Sequence, residues 1–408
     1  MKNLPTALSL PIFLGAVKRT IAYSKHFQYS KQRQNFIYLI ASILFNNSCL
    51  LNSVQSITSI AKSWLACLSS FLKSNAWDIK ILDKISLSLF SKHFKAISYI
   101  AIDWTALAKT GKSFDFVGDV YDGRDGKIKN GFPLLLASGI TEGKNLILPI
   151  LSKLTSWSHP EFLARSENVI INNFLADLKE LLLCVNKGFS AKVVFLLDAG
   201  FYRATILKHL LALKFSFIVN GVENRNIILT DNLTGKKENA QLGNLNEGYY
   251  EKVYINHLKR KLNVAVYFDQ DKNNKLVKRI LISNLENQDW EKMKSAYKHR
   301  WAIEEFFKDL KGKYDLENFR VREFKAIERL VKIILIANGL FTDSCLKHGW
   351  WIEKMQTLLK TIFNFQLVIN KKGINFLREI SLILANFGLI DNFCFILKKR
   401  IRFCDYVF

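Results

Sequence analysis

A formal net charge of +24 over 408 residues, with a pI near 9.7, marks a chain that attracts polyanions and whose grip on them should weaken steeply with salt. At 49% hydrophobic with 31 phenylalanines it is globular rather than disordered, and it is long enough for two or three structural units around a sizeable core. The cysteines at 49, 67, 184, 345, 394 and 404 form no CxxC pair and the seven histidines are scattered, so a disulfide framework and a zinc site are not expected; the cysteines are expected to be reduced core residues of a cytoplasmic protein.

Residues 4–17 are mildly apolar after Lys2, but Pro5 and Pro11 interrupt them and no small-residue cleavage site follows, so secretion is not expected. Residues 1–95 predict helices, with apolar periodicity from Phe36 to Phe94 and a basic patch at Lys25–Arg33. From 96 to 212 strand and helix textures alternate. SYIAIDWT (98–105) is a short apolar run rich in β-formers that ends on Asp103 and predicts a buried strand with that aspartate at its carboxyl end, and a turn-rich stretch follows at 117–131. Apolar runs near 133–139 and 145–152 predict strands, and 166–186 a helix. KVVFLLDAGF (192–201) then predicts a second buried strand delivering Asp198 at its carboxyl end, with Gly200 free to turn the chain and a helix after Phe201.

Residues 214–284 hold β-rich pieces such as KFSFIVNGV, KLNVAVYF and LVKRILISN between Asn, Gly and Lys turns, with a basic knot at Lys259, Arg260 and Lys261. Next comes YKHRWAIEEFFKDLK (297–311). On one helix at about 100° per residue, Tyr297, Arg300, Glu304, Lys308 and Lys311 share roughly a quarter of the circumference, and Ile303, Phe306, Phe307 and Leu310 gather on an apolar side. Such a helix buries one face and presents an acid flanked by cations, although a plain amphipathic surface helix with i, i+4 charge pairs has the same outline. Glu305 lies about 100° around, away from the cations. The tail, 346–408, is helical and apolar with Lys398, Lys399, Arg400 and Arg402 near its end. Its most apolar piece, 380–390, falls short of the ~20 residues that a bilayer requires, and no basic amphipathic membrane helix stands out, so a membrane partner is not expected.

Asp103 or Asp198 taken singly would serve as a turn or cap residue. If their strands are parallel neighbours, however, both carboxylates meet at one sheet edge, where α/β sheets usually place their chemistry, and Glu304 completes a set of three. Three carboxylates without Cys or His form a hard, oxygen-rich site suited to Mg²⁺ or Mn²⁺, and two such ions can clamp the attacking and leaving oxygens of a phosphoryl transfer.

These residues resemble the acidic triad of DDE transposases. The spacing Tyr297-x2-Arg300-x3-Glu304-x6-Lys311 is similar to the Tyr-Arg-Glu-Lys signature of the insertion-sequence group called IS-four, as are the contexts IDWT and DAGF. The likeness covers roughly residues 95–345. It implies an α/β fold with a ribonuclease H-like mixed sheet at 96–213 and 285–345. It also implies a β-rich insertion at 214–284 and helical regions at 1–95, where relatives have a DNA-end-binding region, and at 346–408. The expected order of three strands, a helix and a fourth strand agrees. Metal-dependent cleavage of transposon ends and strand transfer into target DNA follow from the likeness, with Asp103, Asp198 and Glu304 as catalytic and metal-binding residues for two Mg²⁺ or Mn²⁺ ions. Tyr297, Arg300, Trp301, Lys308 and Lys311 are the expected contacts to double-stranded end DNA, Trp301 holding an unstacked base. Joining two ends makes a homodimer on DNA the natural expectation.

Three other readings compete. ALAKTGKS (106–113) resembles a relaxed Walker A loop, but Ala106 replaces its first glycine, and the turn-rich residues after Ser113 do not predict the helix a P-loop must open into. A decayed relative that only binds DNA, and a ribonuclease H-like nuclease without strand transfer, are the others. The nuclease would not need the cation stripe around Glu304.

Overall fold

The computed structural model describes residues 10–46, 49, 51, 62–110, 113–123, 126–141, 147–185, 193–230, 235–270, 274–286 and 289–363. The chain divides into two compact units. One comprises Met1–Trp77, Lys313–Val321 and Leu340–Phe408, the other Asp78–Gly312 and Arg322–Gly339. The C-terminal basic residues 398–402 and the apolar piece 380–390 lie outside the described residues.

The first unit is helical, with α1 (Leu10–Ser24), α2 (Ser30–Asn46) and α3 (Lys62–Lys73). Aromatic rings make its centre. Phe71 stacks on Trp77 at 4.9 Å, and Phe27 meets Phe36 at 5.1 Å and the edge of Trp77 at 5.3 Å. The buried indole N–H of Trp77 donates to the Phe71 carbonyl, so the ring is covered without leaving an orphan donor. Residues 25–29 of the basic patch form the turn between α1 and α2, where Arg33 donates to the Phe27 carbonyl. Cys49 is buried and Cys67 half-buried, as core cysteines would be; Cys184, in the other unit, is exposed and corrects that expectation.

The second unit holds a mixed sheet. It begins with α4 (Lys80–Ser91), then β1 (Ile97–Ala108), β2 (Gly118–Asp122), β3 (Lys127–Thr141) and β4 (Ile147–Leu154). α5 (Glu167–Val185) follows, then β5 (Val194–Leu197) and α6 (Ala204–Ala212). The stretch between 214 and 284 supplies β6 (Ser216–Asn220), β7 (Asn226–Thr230), β8 (Lys237–Gln241), β9 (Gly248–Ile255), β10 (Arg260–Gln270) and β11 (Leu276–Ser283). The unit continues through α7 (Trp290–Lys298), α8 (Trp301–Lys313) and the start of α9 (Phe324–Phe363).

Among the described residues the strands form one eleven-stranded sheet in the order β2-β3-β1-β5-β6-β11-β10-β9-β7-β8, with β4 also paired to β3. β5 runs parallel to both β1 and β6, and the remaining neighbours described are antiparallel. Consecutive residues Ile100, Ala101 and Ile102 are all fully buried, as are Leu134 to Ala137, so the centre of the sheet is covered on both faces. α5 supplies part of that cover. Its Ile170, Phe174, Leu178 and Leu182 recur every fourth residue and make an inward stripe.

The turn-rich stretch 117–131 is largely strand, a β2–β3 hairpin whose polar residues alternate with buried Val120 and Asp122. Gly131 is required there. A Cβ at this position would lie 2.4 Å from the Leu107 carbonyl of β1, a backbone atom that cannot step aside. Ser113–Asp122 contains a bend, a turn and β2 rather than a helix, which disposes of the P-loop; Lys112 lies outside the described residues. The knot at Lys259–Lys261 is an exposed β9–β10 hairpin tip, turned by Lys259 at φ +54°.

A candidate acidic active site

Strand register brings the two aspartates together. The parallel pairing of β1 with β5 ends at Ile102↔Leu197, and the next residue on each strand is an acid, Asp103 and Asp198. Asp198 ends its strand and caps the following 3₁₀ turn, accepting from the Gly200 amide at 2.9 Å. Asp103 does not end its strand. β1 continues to Ala108 because β3 keeps pairing with it from Leu136 opposite Asp103 to Gly131 opposite Ala108. Asp103 therefore stands where one neighbour of β1 stops and the other goes on.

The third acid comes from α8, and here the expectation of one continuous helix over 297–311 needs correction. α7 ends at Lys298 and α8 starts at Trp301. Across the junction the amides of His299, Arg300, Ala302 and Ile303 each donate three residues back. That is 3₁₀ winding, about 120° per residue, so the phase computed at 100° breaks between Arg300 and Glu304. Asp289 caps α7, accepting from the Lys292 amide at 2.7 Å, and Ile303, Phe306, Phe307 and Leu310 bury the expected apolar face of α8.

The tight junction points Arg300 back at the sheet. Its Nη1 donates to Asp103 Oδ2 at 3.1 Å and its Nη2 donates to Glu304 Oε1, so one guanidinium joins two of the three acids. Tyr297 donates its hydroxyl to the carbonyl of Leu197, the residue before Asp198, at 3.1 Å. Lys311 donates to the Ala106 carbonyl, three residues past Asp103, at 2.6 Å. The helix pair is thus pinned to both aspartate-bearing strands. Trp301 is 58% exposed and Lys308 is exposed, whereas Glu305 points to solvent and makes none of these contacts.

Electrostatics follow from burial. Asp103 is 9% exposed, and its pKa is raised to about 7 by desolvation and the nearby Asp198, against the pull of Arg300 and the Trp104 amide. Burial also raises Asp198, while Arg300, the Gly200 and Phe201 amides and Arg203 draw it down. Arg300 is the converse case. Its burial disfavours the charge, but Tyr297, Asp103 and Glu304 outweigh that and push its pKa above the ordinary arginine value. Burial raises the Tyr297 phenol as well, so its hydroxyl stays a donor.

Two features had no clear sequence signal. His299 stacks on Tyr99 of β1 at 4.8 Å, and Arg203, bonded to Glu167 at 2.8 Å, adds positive potential at Asp198. Among the described residues no three His, Cys, Asp or Glu side chains converge so as to hold a metal ion. The donors fit a hard divalent cation by type, being carboxylates only. In this state the cation between Asp103 and Glu304 is Arg300.

The fold is a mixed α/β sheet with an acid on each of two adjacent parallel strands, just past the point where their pairing ends. Residues 170–338 match the family model described as Transposase DDE domain. The match supports a DDE transposase, an enzyme that acts on DNA. It spans Asp198, Tyr297, Arg300, Trp301, Glu304, Lys308 and Lys311 and begins after Asp103. A comparison with curated proteins gave no match.

Proposed function

We propose that the protein is a DDE transposase of the IS-four type, with a ribonuclease H-like core, that cuts the ends of an insertion sequence and joins the freed 3′-hydroxyl to target DNA. The observation that carries this reading is the register at the β1–β5 edge, with Asp103 and Asp198 side by side and Glu304 tied to Asp103 through Arg300. Asp103, Asp198 and Glu304 would hold two Mg²⁺ or Mn²⁺ ions, whose chemistry is to polarise the phosphoryl oxygens and neutralise developing charge.

The chain's own residues supply the rest. Arg300 and Lys311 neutralise end-DNA phosphates, Tyr297 sets the distance between α7 and β5, and exposed Trp301 offers a face on which an unstacked base can rest. Lys308, one turn on from Glu304, extends the positive stripe toward solvent. Two chains would act together on paired ends. Among the described residues no helix is long and apolar enough to cross a membrane.

The test is cleavage of a labelled DNA end taken from the sequence flanking the gene, with Mg²⁺ or EDTA. Asp103→Asn, Asp198→Asn and Glu304→Gln should each abolish metal-dependent nicking while leaving most DNA binding intact. Full activity in any one removes that residue from the site. Binding without cleavage by the wild type would instead identify a DNA-binding relative that has lost its chemistry.

A further inference from the structure

The guanidinium of Arg300 occupies the oxygens that a metal would need. It forks between Asp103 Oδ2 and Glu304 Oε1, and it also exerts a pull on Asp198, so one cation serves all three acids. The Arg300 side chain is only 15% exposed, and Asp103 is as deeply set. Charges so placed are screened less than a surface pair, and a second cation a few ångströms away would be repelled by the guanidinium. The lone pairs directed at Nη1 and Nη2 cannot at the same time coordinate an ion.

Arg300 also sits at the one place on the helix pair where the winding changes, between α7 and α8. Its planar fork suits a phosphodiester as well as a carboxylate, and phosphodiesters are the anions that a chain of net charge +24 gathers. We propose that Arg300 is a resident counter-cation that keeps Asp103 and Glu304 from loading metal until a DNA phosphate draws it away. Metal binding and DNA binding are then coupled, and by linkage each strengthens the other by the same factor. The chain without DNA holds metal weakly and is protected from indiscriminate nicking. This inference rests on the metal-dependent reading above.

Mn²⁺ binding to the full chain, followed by loss of the free-ion electron paramagnetic resonance signal, separates the two ideas without reference to activity. Without DNA, Arg300→Gln should bind Mn²⁺ at least about tenfold more tightly than wild type, a change of about 1.4 kcal/mol. Arg300→Lys, which keeps a charge but not the fork, should fall between them and stands in if the glutamine variant does not fold. Adding duplex from the gene flank should tighten Mn²⁺ binding by the wild type and hardly alter Arg300→Gln. Equal or weaker binding by both Arg300 variants, with Asp103→Asn abolishing it throughout, overturns the counter-cation role and leaves the metal site standing. Mn²⁺ binding that is absent, or indifferent to Asp103→Asn, in every variant overturns both.

Discussion

Asp103 and Arg300 are 197 positions apart in sequence, yet their contact organises the site. Each aspartate was legible because a run of β-formers leads into an acid, a pattern that strand geometry makes conspicuous. The partner of Arg300 was not legible, since the same arginine, placed on a helix face beside Glu304, suits a phosphate contact equally well. The buried polar groups elsewhere were equally silent. His257 is edge-on to Tyr202 at 5.2 Å, and neither of its ring nitrogens has a hydrogen-bond partner. Desolvation, then Arg225 and Lys208, lower its pKa below the usual histidine value. Above that usual value, near 6.5, both folded and unfolded chains hold it neutral and it has no effect on stability. Below it the unfolded chain takes the proton more readily, so stability is lost as pH falls toward the folded pKa. Urea midpoints measured from pH 7.5 down to 5.5 should therefore drop more in wild type than in His257→Phe, which keeps a ring against Tyr202. Parallel pH profiles would remove His257 from the account.

The pair α7 and α8 shows how a short change of winding can rearrange a motif without altering its spacing. Periodicity at 100° per residue captured the apolar face of α8, because Ile303, Phe306, Phe307 and Leu310 all follow the winding change. It missed the junction, where no Gly or Pro announces a break. The β2–β3 hairpin was missed for a different reason. Asp119, Tyr121, Lys127 and Ile128 face solvent, so the strands look like a loop unless the pairing opposite Gly131 is known. The Tyr297 hydroxyl pins this helix pair to β5 through the carbonyl that precedes Asp198. Tyr297→Phe leaves that buried carbonyl one donor short and should lower stability by about 1 kcal/mol in urea melts. It should also reduce DNA-end cleavage more than DNA binding. Unchanged melting and cleavage together would mean that the ring alone, 5.8 Å from the Arg300 guanidinium, matters at this position.

On the scale of the whole molecule, charge and sheet carry different information. The excess of 59 basic over 35 acidic residues agrees with a polyanionic partner, and under the proposed function DNA affinity should fall linearly on a log–log plot against salt. Lys311→Ala should weaken end binding and make that slope shallower by about one unit. An unchanged slope would confine Lys311 to its bond with the Ala106 carbonyl, as a tether between α8 and β1. The order of strands in the sheet could not be read along the chain, because it depends on long crossovers such as β6 to β11, joined across residues 221–275.

That register has a bearing on how the gene can change. Side chains in a strand alternate faces, so losing or gaining one residue within Tyr99–Ile102 or Val194–Leu197 would turn an acid through the sheet to its far side, whatever its chemistry. Point substitutions along these eight positions are graded injuries to packing, whereas a change of length is a matter of odd and even. A lineage of such chains can drift in composition at this edge and still hold both acids on one side, but only with the parity of both strands intact.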